Sequence, residues 1–154
     1  MNLRFIVIAF LWLAPLYFAG CQSEDPEDIW EDDRNKILAY IAEHQLNALE
    51  HPSGVFYVVE VEGTGPRPTL TSLLNIKYTG MLLDGRVFDS SGGAQFTLIN
   101  TIRGWQIGIP LFRAGGRGKI LIPSALAYGA FPPFGSIIPR NAPLVFEIEI
   151  IEIR

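Results

Sequence analysis

Apolar and polar residues alternate along much of the chain after residue 54, and the alternation is clearest at its end, over residues 144–153. A period of two places every second side chain on one face of a sheet and therefore predicts β-strands. The same pattern, with runs of β-branched residues, predicts strands at 55–61, 73–83, 87–89, 96–99 and 118–122. Residues 101–109, ended by Pro110, form the one helix predicted among them. Five or six strands with one internal helix indicate an α+β domain, an antiparallel sheet with the helix packed on one face.

A helical period precedes these strands. Between residues 33 and 49 apolar residues recur three and four positions apart, as on one face of a helix: Ile37, Leu38, Ile41, Ala42 and Leu49. We predict an N-terminal helix over 34–51, ended by Pro52-Ser53-Gly54, after which the sheet domain runs over 54–154. Self-association, packing on its own domain and a role as a stalk all remain open for this helix.

The first residues have the layout of a secretory signal peptide. A basic residue, Arg4, precedes an apolar run over 5–16 and small residues just before Cys21. The run is shorter than the ~20 apolar residues that a membrane-spanning helix needs. Residues 18–21, Phe-Ala-Gly-Cys, resemble the lipobox of bacterial lipoproteins. That resemblance implies a signal peptide over 1–20 and a lipid anchor on Cys21, which becomes the mature N-terminus.

Cys21 is the only cysteine, so the chain contains no disulfide framework. A buried or free thiol is the alternative, but the residue stands between an apolar segment and an acidic one, a poor place for burial. Gln22 after the cysteine resembles lipoproteins sent to the outer membrane of Gram-negative cells. We therefore expect the bacterial cell envelope, with the anchor in the outer membrane and the domain on its periplasmic or surface face.

The acidic charge of the chain is concentrated beside this cysteine. Residues 21–36 carry seven acidic and two basic side chains, whereas residues 37–154 carry nine of each. A balanced domain offers no basic surface for a phosphate backbone, so we predict no nucleic acid partner. We predict a solvated acidic tether over 21–33, with a sorting signal as the alternative.

The usual signatures of covalent, nucleotide and metal chemistry are absent from the sequence. It has no nucleophile elbow, no zinc-protease helix and no phosphate-binding or dinucleotide-binding glycine motif. His44 and His51 bracket the far end of the predicted N-terminal helix without further ligands, so we predict no metal site and no cofactor. The domain is expected to act without a nucleophile.

The segment from Lys77 to Ser91 is the most informative part of the chain. Its Asp84-Gly85 pair predicts a two-residue hairpin turn of the primed type between two strands. Pairing of those strands brings Tyr78, Phe88 and Asp89 together, so that two aromatic rings and a carboxylate share a concave apolar site.

The chain resembles the FKBP-type peptidyl-prolyl cis-trans isomerases from about residue 54 to its end. The motifs that carry the resemblance are, in order, Tyr78-Thr79-Gly80, Asp84-Gly85, Phe88-Asp89-Ser90-Ser91, Ile102-Arg103-Gly104-Trp105, Ala127-Tyr128-Gly129, Ile137-Ile138-Pro139 and Leu144-Val145-Phe146. The resemblance implies a sheet curled around the short helix, with a prolyl site between them.

The resemblance also implies roles for particular residues. Trp105 is the expected floor under the proline ring, and the expected walls are Tyr78, Phe88, Phe96, Ile102 and Phe146. The Tyr128 hydroxyl and the Ile102 amide are the expected donors to substrate carbonyls, and Asp89 is the polar group at the rim. Ile137 and Ile138 belong to an overhanging loop.

The activity implied is rotation about X-Pro bonds in exported proteins, by desolvation of the amide in the apolar site. Macrolide inhibitors are a further ligand class that the resemblance implies. Thr101 at the site's edge and Arg140 after the overhanging loop depart from the family pattern and bear on ligand preference. The alternative is a chaperone or binding module with little turnover, a role that Phe131 and Phe134 would suit if they are exposed.

Overall fold

The computed structural model describes residues 25–154, so the predicted signal peptide and Cys21 lie outside the described residues. Within that range the helices and strands follow in the order α1 Pro26–Glu43, β1 Leu49–Glu50, β2 Phe56–Val61, β3 Leu73–Leu82, β4 Val87–Thr97, α2 Arg103–Gly108, β5 Arg117–Ile122 and β6 Leu144–Ile153. Short 3₁₀ turns occupy Leu98–Asn100, Ile109–Leu111 and Ser124–Leu126. Neither α-helix is long and apolar enough to cross a membrane.

The six strands form one antiparallel sheet in the order β1-β2-β5-β6-β3-β4. The predicted α+β class, strand number and internal helix are therefore confirmed. The longest pairings join β3 to β4 and to β6, which places the middle of β3 between two strands. The predicted strand over 96–99 is wrong in detail, because β4 runs on to Thr97 and Leu98 then begins a 3₁₀ turn.

The period-two pattern divides the buried side chains between the two faces of the sheet. On β5, Ile120 and Ile122 join the main core, whereas Leu121 between them faces the other way. On β6, Phe146 and Val145 divide in the same manner. The main core lies on the face covered by α2, and a smaller core lies on the face covered by α1.

Helix α2 packs closely on the sheet because two of its residues lack side chains. A Cβ added at Gly104 would lie 2.3 Å from Ile122 Cγ2, and one added at Gly108 would lie 2.8 Å from Ile120 Cγ2. Residues four apart share one face of a helix, so both glycines face β5. This close approach holds Trp105, which follows Gly104, over the middle of the sheet.

Helix α1 begins earlier and ends earlier than predicted. It starts at Pro26, with Asp25 as the N-cap accepting from the Glu27 N–H at 3.0 Å, and it ends at Glu43. Proline suits the first turn because an N–H there would have no acceptor within the helix. Acidic side chains are stabilised near the N-terminus of a helix, which is its positive end. The acidic residues after Asp25 therefore belong to the helix, and only the part of the predicted tether before it remains a prediction.

Helix α1 packs on its own domain, which is one of the three possibilities that the sequence left open. Ile37 is fully buried against the smaller core, and Arg34 makes a bidentate ion pair with Glu50 at 3.0 and 2.9 Å. Trp30 lies over the turn at Gly54, where a Cβ would come within 2.3 Å of its ring. The helix is thus an integral part of the folded unit.

The Lys77–Ser91 hairpin forms with a different turn from the one predicted. The Gly85 N–H donates to the Leu82 carbonyl and the Leu82 N–H to the Arg86 carbonyl, both at 3.0 Å, so the loop has three residues. Gly85 alone among those three has positive φ, +84°, whereas a primed two-residue turn would need it at Asp84 as well. The Asp84 carboxylate accepts from the Arg86 N–H instead, which favours this turn.

Candidate functional site

A cavity of about 490 Å³ opens between α2, the sheet and the loop after β5. The residues that line it are Tyr78, Phe88, Asp89, Phe96, Asn100, Thr101, Ile102, Trp105, Tyr128 and Phe146. Eight of the ten residues that the sequence nominated for the site are in this lining. They come from β3, β4, α2, β6 and two connecting segments, so only the fold brings them together.

Trp105 lies at the centre of the aromatic cluster and is only 5% exposed. Its ring centre is 5.1 Å from that of Tyr78, 5.1 Å from that of Phe146 and 5.2 Å from that of Phe96. The first two pairs are edge-to-face, the geometry that aromatic rings favour. The three neighbours hold the indole in one orientation and give the cavity a rigid apolar floor.

The strand next to the cavity carries a glycine where the wall requires one. Gly80 of β3 pairs with Phe146 of β6 and with Asp89 of β4. A Cβ on Gly80 would lie 2.6 Å from the Phe88 ring and 2.8 Å from the Phe146 ring. Those two rings pack edge-to-face with centres 5.6 Å apart, directly over the glycine. The Tyr-Thr-Gly motif thus makes space for the aromatic wall.

Tyr78 and Asp89 form the polar edge of the cavity. The Tyr78 hydroxyl donates to Asp89 Oδ2 at 2.6 Å, across the two strands of the hairpin. Burial and this hydrogen bond to a carboxylate raise the pKa of Tyr78 to about 12, so the hydroxyl stays protonated at any physiological pH. The Asp89 carboxylate is held at the rim, where residue 89 is exposed to solvent.

Two hydrogen-bond donors in residues that line the cavity have no acceptor within residues 25–154. Ile102 is the N-cap of α2, and within residues 25–154 its N–H donates to no other group. The half-buried Tyr128 hydroxyl likewise donates to no group in this range. Burial, together with the negative charge of Asp89, raises the pKa of Tyr128 and keeps it protonated. Both donors are available to carbonyl groups of a bound peptide.

Gln106 fixes the segment that leads into Ile102. Its side-chain amide donates to the Ile99 carbonyl at 3.0 Å and to the Thr101 carbonyl at 2.9 Å. The Thr101 hydroxyl turns away to the Leu98 carbonyl at 2.7 Å. Asn100, in the middle of this segment, lines the cavity and was not predicted, because the sequence placed a strand up to residue 99.

Ile137 and Ile138 do not line the cavity. Ile138 is 6% exposed and packs into the main core, whereas Ile137 is 48% exposed. Their loop also presents Phe131 and Phe134, with exposed fractions of 85% and 108%. Arg140 lies over the Phe131 ring at 5.9 Å from its centre. The loop therefore carries apolar side chains beside the cavity, outside its lining.

Within residues 25–154 no group of three histidine, cysteine or acidic side chains is arranged to hold a metal ion. The cavity itself presents aromatic rings, two available donors and a carboxylate. Such a lining suits a neutral, largely apolar ligand that offers carbonyl oxygens, and a peptide segment around proline has these features.

Comparison with known proteins identifies the family. Residues 65–151 match the model of the FKBP-type peptidyl-prolyl cis-trans isomerases, and this match covers more than half of the chain. The cavity lining lies entirely within the matched residues.

Similar curated proteins come from several bacteria. The FKBP-type peptidyl-prolyl cis-trans isomerase FkpA of Aeromonas hydrophila is 45% identical over 106 residues, which are 66% of this chain and 39% of that protein. The outer membrane protein MIP of Legionella longbeachae is 36% identical over 107 residues, 67% of this chain and 46% of that protein. The chain thus spans less than half the length of either relative.

Solved structures share the fold. The crystal structure of a peptidyl-prolyl cis-trans isomerase from Pseudomonas syringae matches with a TM-score of 0.73 and 31% identity, over 84% of this chain and 96% of that one. FkpA from Escherichia coli matches with a TM-score of 0.71 and 28% identity, over 83% of this chain and 62% of that one.

Proposed function

The chain belongs to the FKBP-type peptidyl-prolyl cis-trans isomerases, and from this membership we propose that it catalyses rotation about X-Pro bonds in exported proteins. The observation that carries the proposal is the aromatic cavity centred on Trp105, with donors and a carboxylate at one edge. Uncatalysed isomerisation takes tens to hundreds of seconds, slow enough to limit folding.

The mechanism requires no nucleophile. Amide resonance creates the barrier to rotation, about 18–20 kcal/mol, and the charge separation of the planar amide is stabilised by water. Transfer into an apolar cavity removes that water. The twisted amide is less delocalised and separates less charge, so it loses less stabilisation by water than the planar amide does. A cavity that fits the twisted state better than either planar isomer accelerates the reaction.

Each group of the cavity has a part in this proposal. The proline ring rests on Trp105, between walls formed by Tyr78, Phe88, Phe96, Ile102 and Phe146. The Ile102 N–H and the Tyr128 hydroxyl donate to the carbonyls on either side of the rotating bond. Asp89 orients the peptide at the rim through its bond with Tyr78. Ile137 contacts residues that flank the proline, and Ile138, which is buried in the core, holds Ile137 in place.

A protease-coupled assay on a short X-Pro peptide tests the proposal. We expect the purified protein to be active, Trp105→Ala to lose activity by about tenfold or more, and Tyr128→Phe to lose less, about two- to tenfold, because a single hydrogen bond is removed. Phe134→Ala, outside the cavity, is the control and should retain full activity on a short peptide. An inactive parent would refute the proposal, and equal activity of all four proteins would refute the site assignment.

A second candidate function is the holding of unfolded segments with little turnover. Phe131 and Phe134 favour it, because two exposed aromatic side chains beside a peptide site enlarge the apolar contact area. The two functions separate in one comparison of the parent with a Phe131→Ala/Phe134→Ala double variant. Loss of protection of an aggregating client, with unchanged peptide isomerisation, would assign the exposed aromatics to holding.

We also propose that Cys21 carries a lipid anchor and that the protein works in the bacterial cell envelope, at the outer membrane. The lipobox-like residues 18–21 support the anchor, and one relative is named an outer membrane protein. Acyl chains contribute membrane affinity of roughly 0.8 kcal/mol per buried methylene. Incorporation of labelled palmitate into the parent but not into Cys21→Ser is the expected result, and label in both proteins would place the lipid elsewhere.

Macrolide inhibitors are a further ligand class for the same cavity, whose aromatic floor they would share with proline. Two results together would support this part of the proposal. A macrolide should inhibit the parent in the peptide assay, and binding measurements should show that Trp105→Ala no longer binds the macrolide. Full activity at saturating macrolide would remove it without affecting the isomerase assignment.

A further inference from the structure

A buried carboxylate links helix α1 to the loop that carries Tyr128. Asp33 is 1% exposed, and its Oδ2 accepts from the Ser124 N–H at 2.7 Å. Ser124 is also 1% exposed, so the bond is closed to water. The two residues lie 91 positions apart in the chain. Asp33 also lies outside residues 65–151, the part that matches the family model.

Ser124 is the residue on which the Tyr128 loop is built. Its carbonyl accepts from the Ala127 N–H and from the Gly129 N–H, both at 2.9 Å. These two amides stand on either side of Tyr128, so one peptide oxygen fixes the backbone before and after the tyrosine. The position of the Ser124 peptide therefore determines where the Tyr128 ring enters the cavity.

The Asp33 carboxylate takes the place of a local cap. Ser124 begins the 3₁₀ turn Ser124–Leu126, and the residue before it, Pro123, offers no side-chain hydrogen bond to the turn. The first N–H of such a turn has no partner within it and requires an external acceptor when buried. Asp33 is that acceptor, supplied by a different element.

Asp33 is itself held firmly. One turn later in α1, Ile37 is fully buried in the smaller core, and one turn earlier Trp30 lies over Gly54. Asp33 therefore lies in a stretch of α1 whose backbone is packed against the domain on both sides of it.

We propose that Asp33 is a positioning residue, which fixes the Ser124 peptide and through it the orientation of Tyr128 in the cavity. The inference rests on the proposed isomerase function. It makes α1 a working part of the site, although no atom of α1 lines the cavity.

The test uses amide hydrogen exchange and isomerase activity on the same variants of the full protein. In Asp33→Ala we expect faster exchange of the Ala127 and Gly129 amides and a loss in kcat/KM of about two- to tenfold, the effect of one hydrogen bond. Asp33→Asn should restore both, because an amide oxygen still accepts from the Ser124 N–H. Asp32→Ala, on the exposed side of the same helix, is the matched control and should change neither.

A double-variant cycle separates positioning from general stability. If Asp33 acts through Tyr128, Asp33→Ala costs no further activity in a Tyr128→Phe protein. An equal loss in both backgrounds, or unchanged exchange at Ala127 and Gly129 in the folded variant, would overturn the inference. If Asp33→Ala does not fold, Asp33→Leu removes the acceptor while keeping the branched shape of the side chain, with the same expected results. An inactive parent would refute the proposed function, and the exchange rates would still decide whether Asp33 holds the loop.

Discussion

Tyr78 has one side in the aromatic cluster and one in the polar edge of the cavity. Its ring packs against Trp105, and its hydroxyl donates to Asp89. The hydrogen bond fixes the carboxylate, while the ring contact fixes the tyrosine. At the scale of single residues, the rim group and the floor therefore depend on each other through Tyr78.

This dependence predicts strong coupling between Tyr78 and Asp89. Tyr78→Phe and Asp89→Ala should each lower kcat/KM by about two- to tenfold, because each leaves the other polar group without its partner. The double variant should be no worse than the poorer single variant, since both changes remove one and the same bond. Activity over a pH series is the measurement, and independent, multiplying losses would show that the two groups act separately.

Individual residues also show where sequence reasoning reached its limit. The aromatic lining and Asp89 were predictable, because the resemblance covers the motifs that contain them. Asn100 was missed, and the burial of Ile138 in the main core was not foreseen, because their surroundings depend on the path of a 3₁₀ turn and a loop that have no hydrophobic period. The contact of Asp33 with Ser124 has no local signal of any kind, since it joins residues 91 positions apart.

At the scale of elements, the strands were predictable because burial alternates along them, and β5 and β6 show why. Each sends alternate side chains into two separate cores, so its pattern is constrained on both faces. The start of α1 was not predictable from the same pattern, because its first turns are acidic and carry few apolar residues. The hairpin turn type failed for another reason: Asp-Gly suits both a two-residue and a three-residue loop.

The close packing of α2 predicts that Gly104→Ala damages stability and activity together. The new Cβ would meet three atoms of Ile122, at 2.3 to 2.9 Å, and overpacking of this kind costs about 1–3 kcal/mol. The better helix propensity of alanine offsets only about 1 kcal/mol of that. We expect a lower melting temperature and, because Trp105 is displaced, a lower kcat/KM.

Two further variants make this prediction specific. Gly92→Ala is the control, since nothing lies within 4 Å of a Cβ there and its φ is not positive. Ile122→Ala removes the atoms that clash, so it should cost less in the Gly104→Ala protein than in the parent. Simple addition of the two effects would contradict a steric cause.

The packing of helix α1 predicts a large loss of stability at one position and a small one at the next. Ile37→Ala deletes a fully buried side chain of the smaller core and should lower the free energy of unfolding by about 2–5 kcal/mol. Leu38→Ala, at 36% exposure on the neighbouring position, should change it by about 0.5 kcal/mol or less. Urea unfolding measures both, and equal effects would mean that α1 is not packed as described.

For the molecule as a whole, α1 covers only one end of the sheet face that carries the smaller core. Phe56, Leu121 and Val145 lie beneath it, whereas farther along the same face Lys119 lies between Glu60 and Glu147 in an exposed cluster of ion pairs. The helix buries the apolar end of this face, so the sheet needs α1 for stability. The domain boundary near residue 54 that the sequence suggested therefore divides one folded unit.

This arrangement buries the carboxyl group of Asp33 between α1 and the rest of the domain, and it predicts how stability depends on pH. Burial raises the pKa of Asp33 above its ordinary value of 3.8, while the hydrogen bond from the Ser124 N–H and the charge of Lys36 offset part of the rise and the charge of Asp32 adds to it. Over the interval between the unfolded and folded pKa values, the folded protein binds more protons than the unfolded chain. The contribution of Asp33 to stability is therefore largest below the unfolded pKa and is lost as pH rises through the folded one.

Unfolding of the parent and of Asp33→Asn in urea, from about pH 4 upward, measures the difference in their free energies of unfolding. We expect the parent's advantage to fall with rising pH and then level off, and Asp32→Asn to show no such trend against the parent. A parent advantage that grows with pH would mean that the Asp33 carboxylate is stabilised by its partners more than it is penalised by burial.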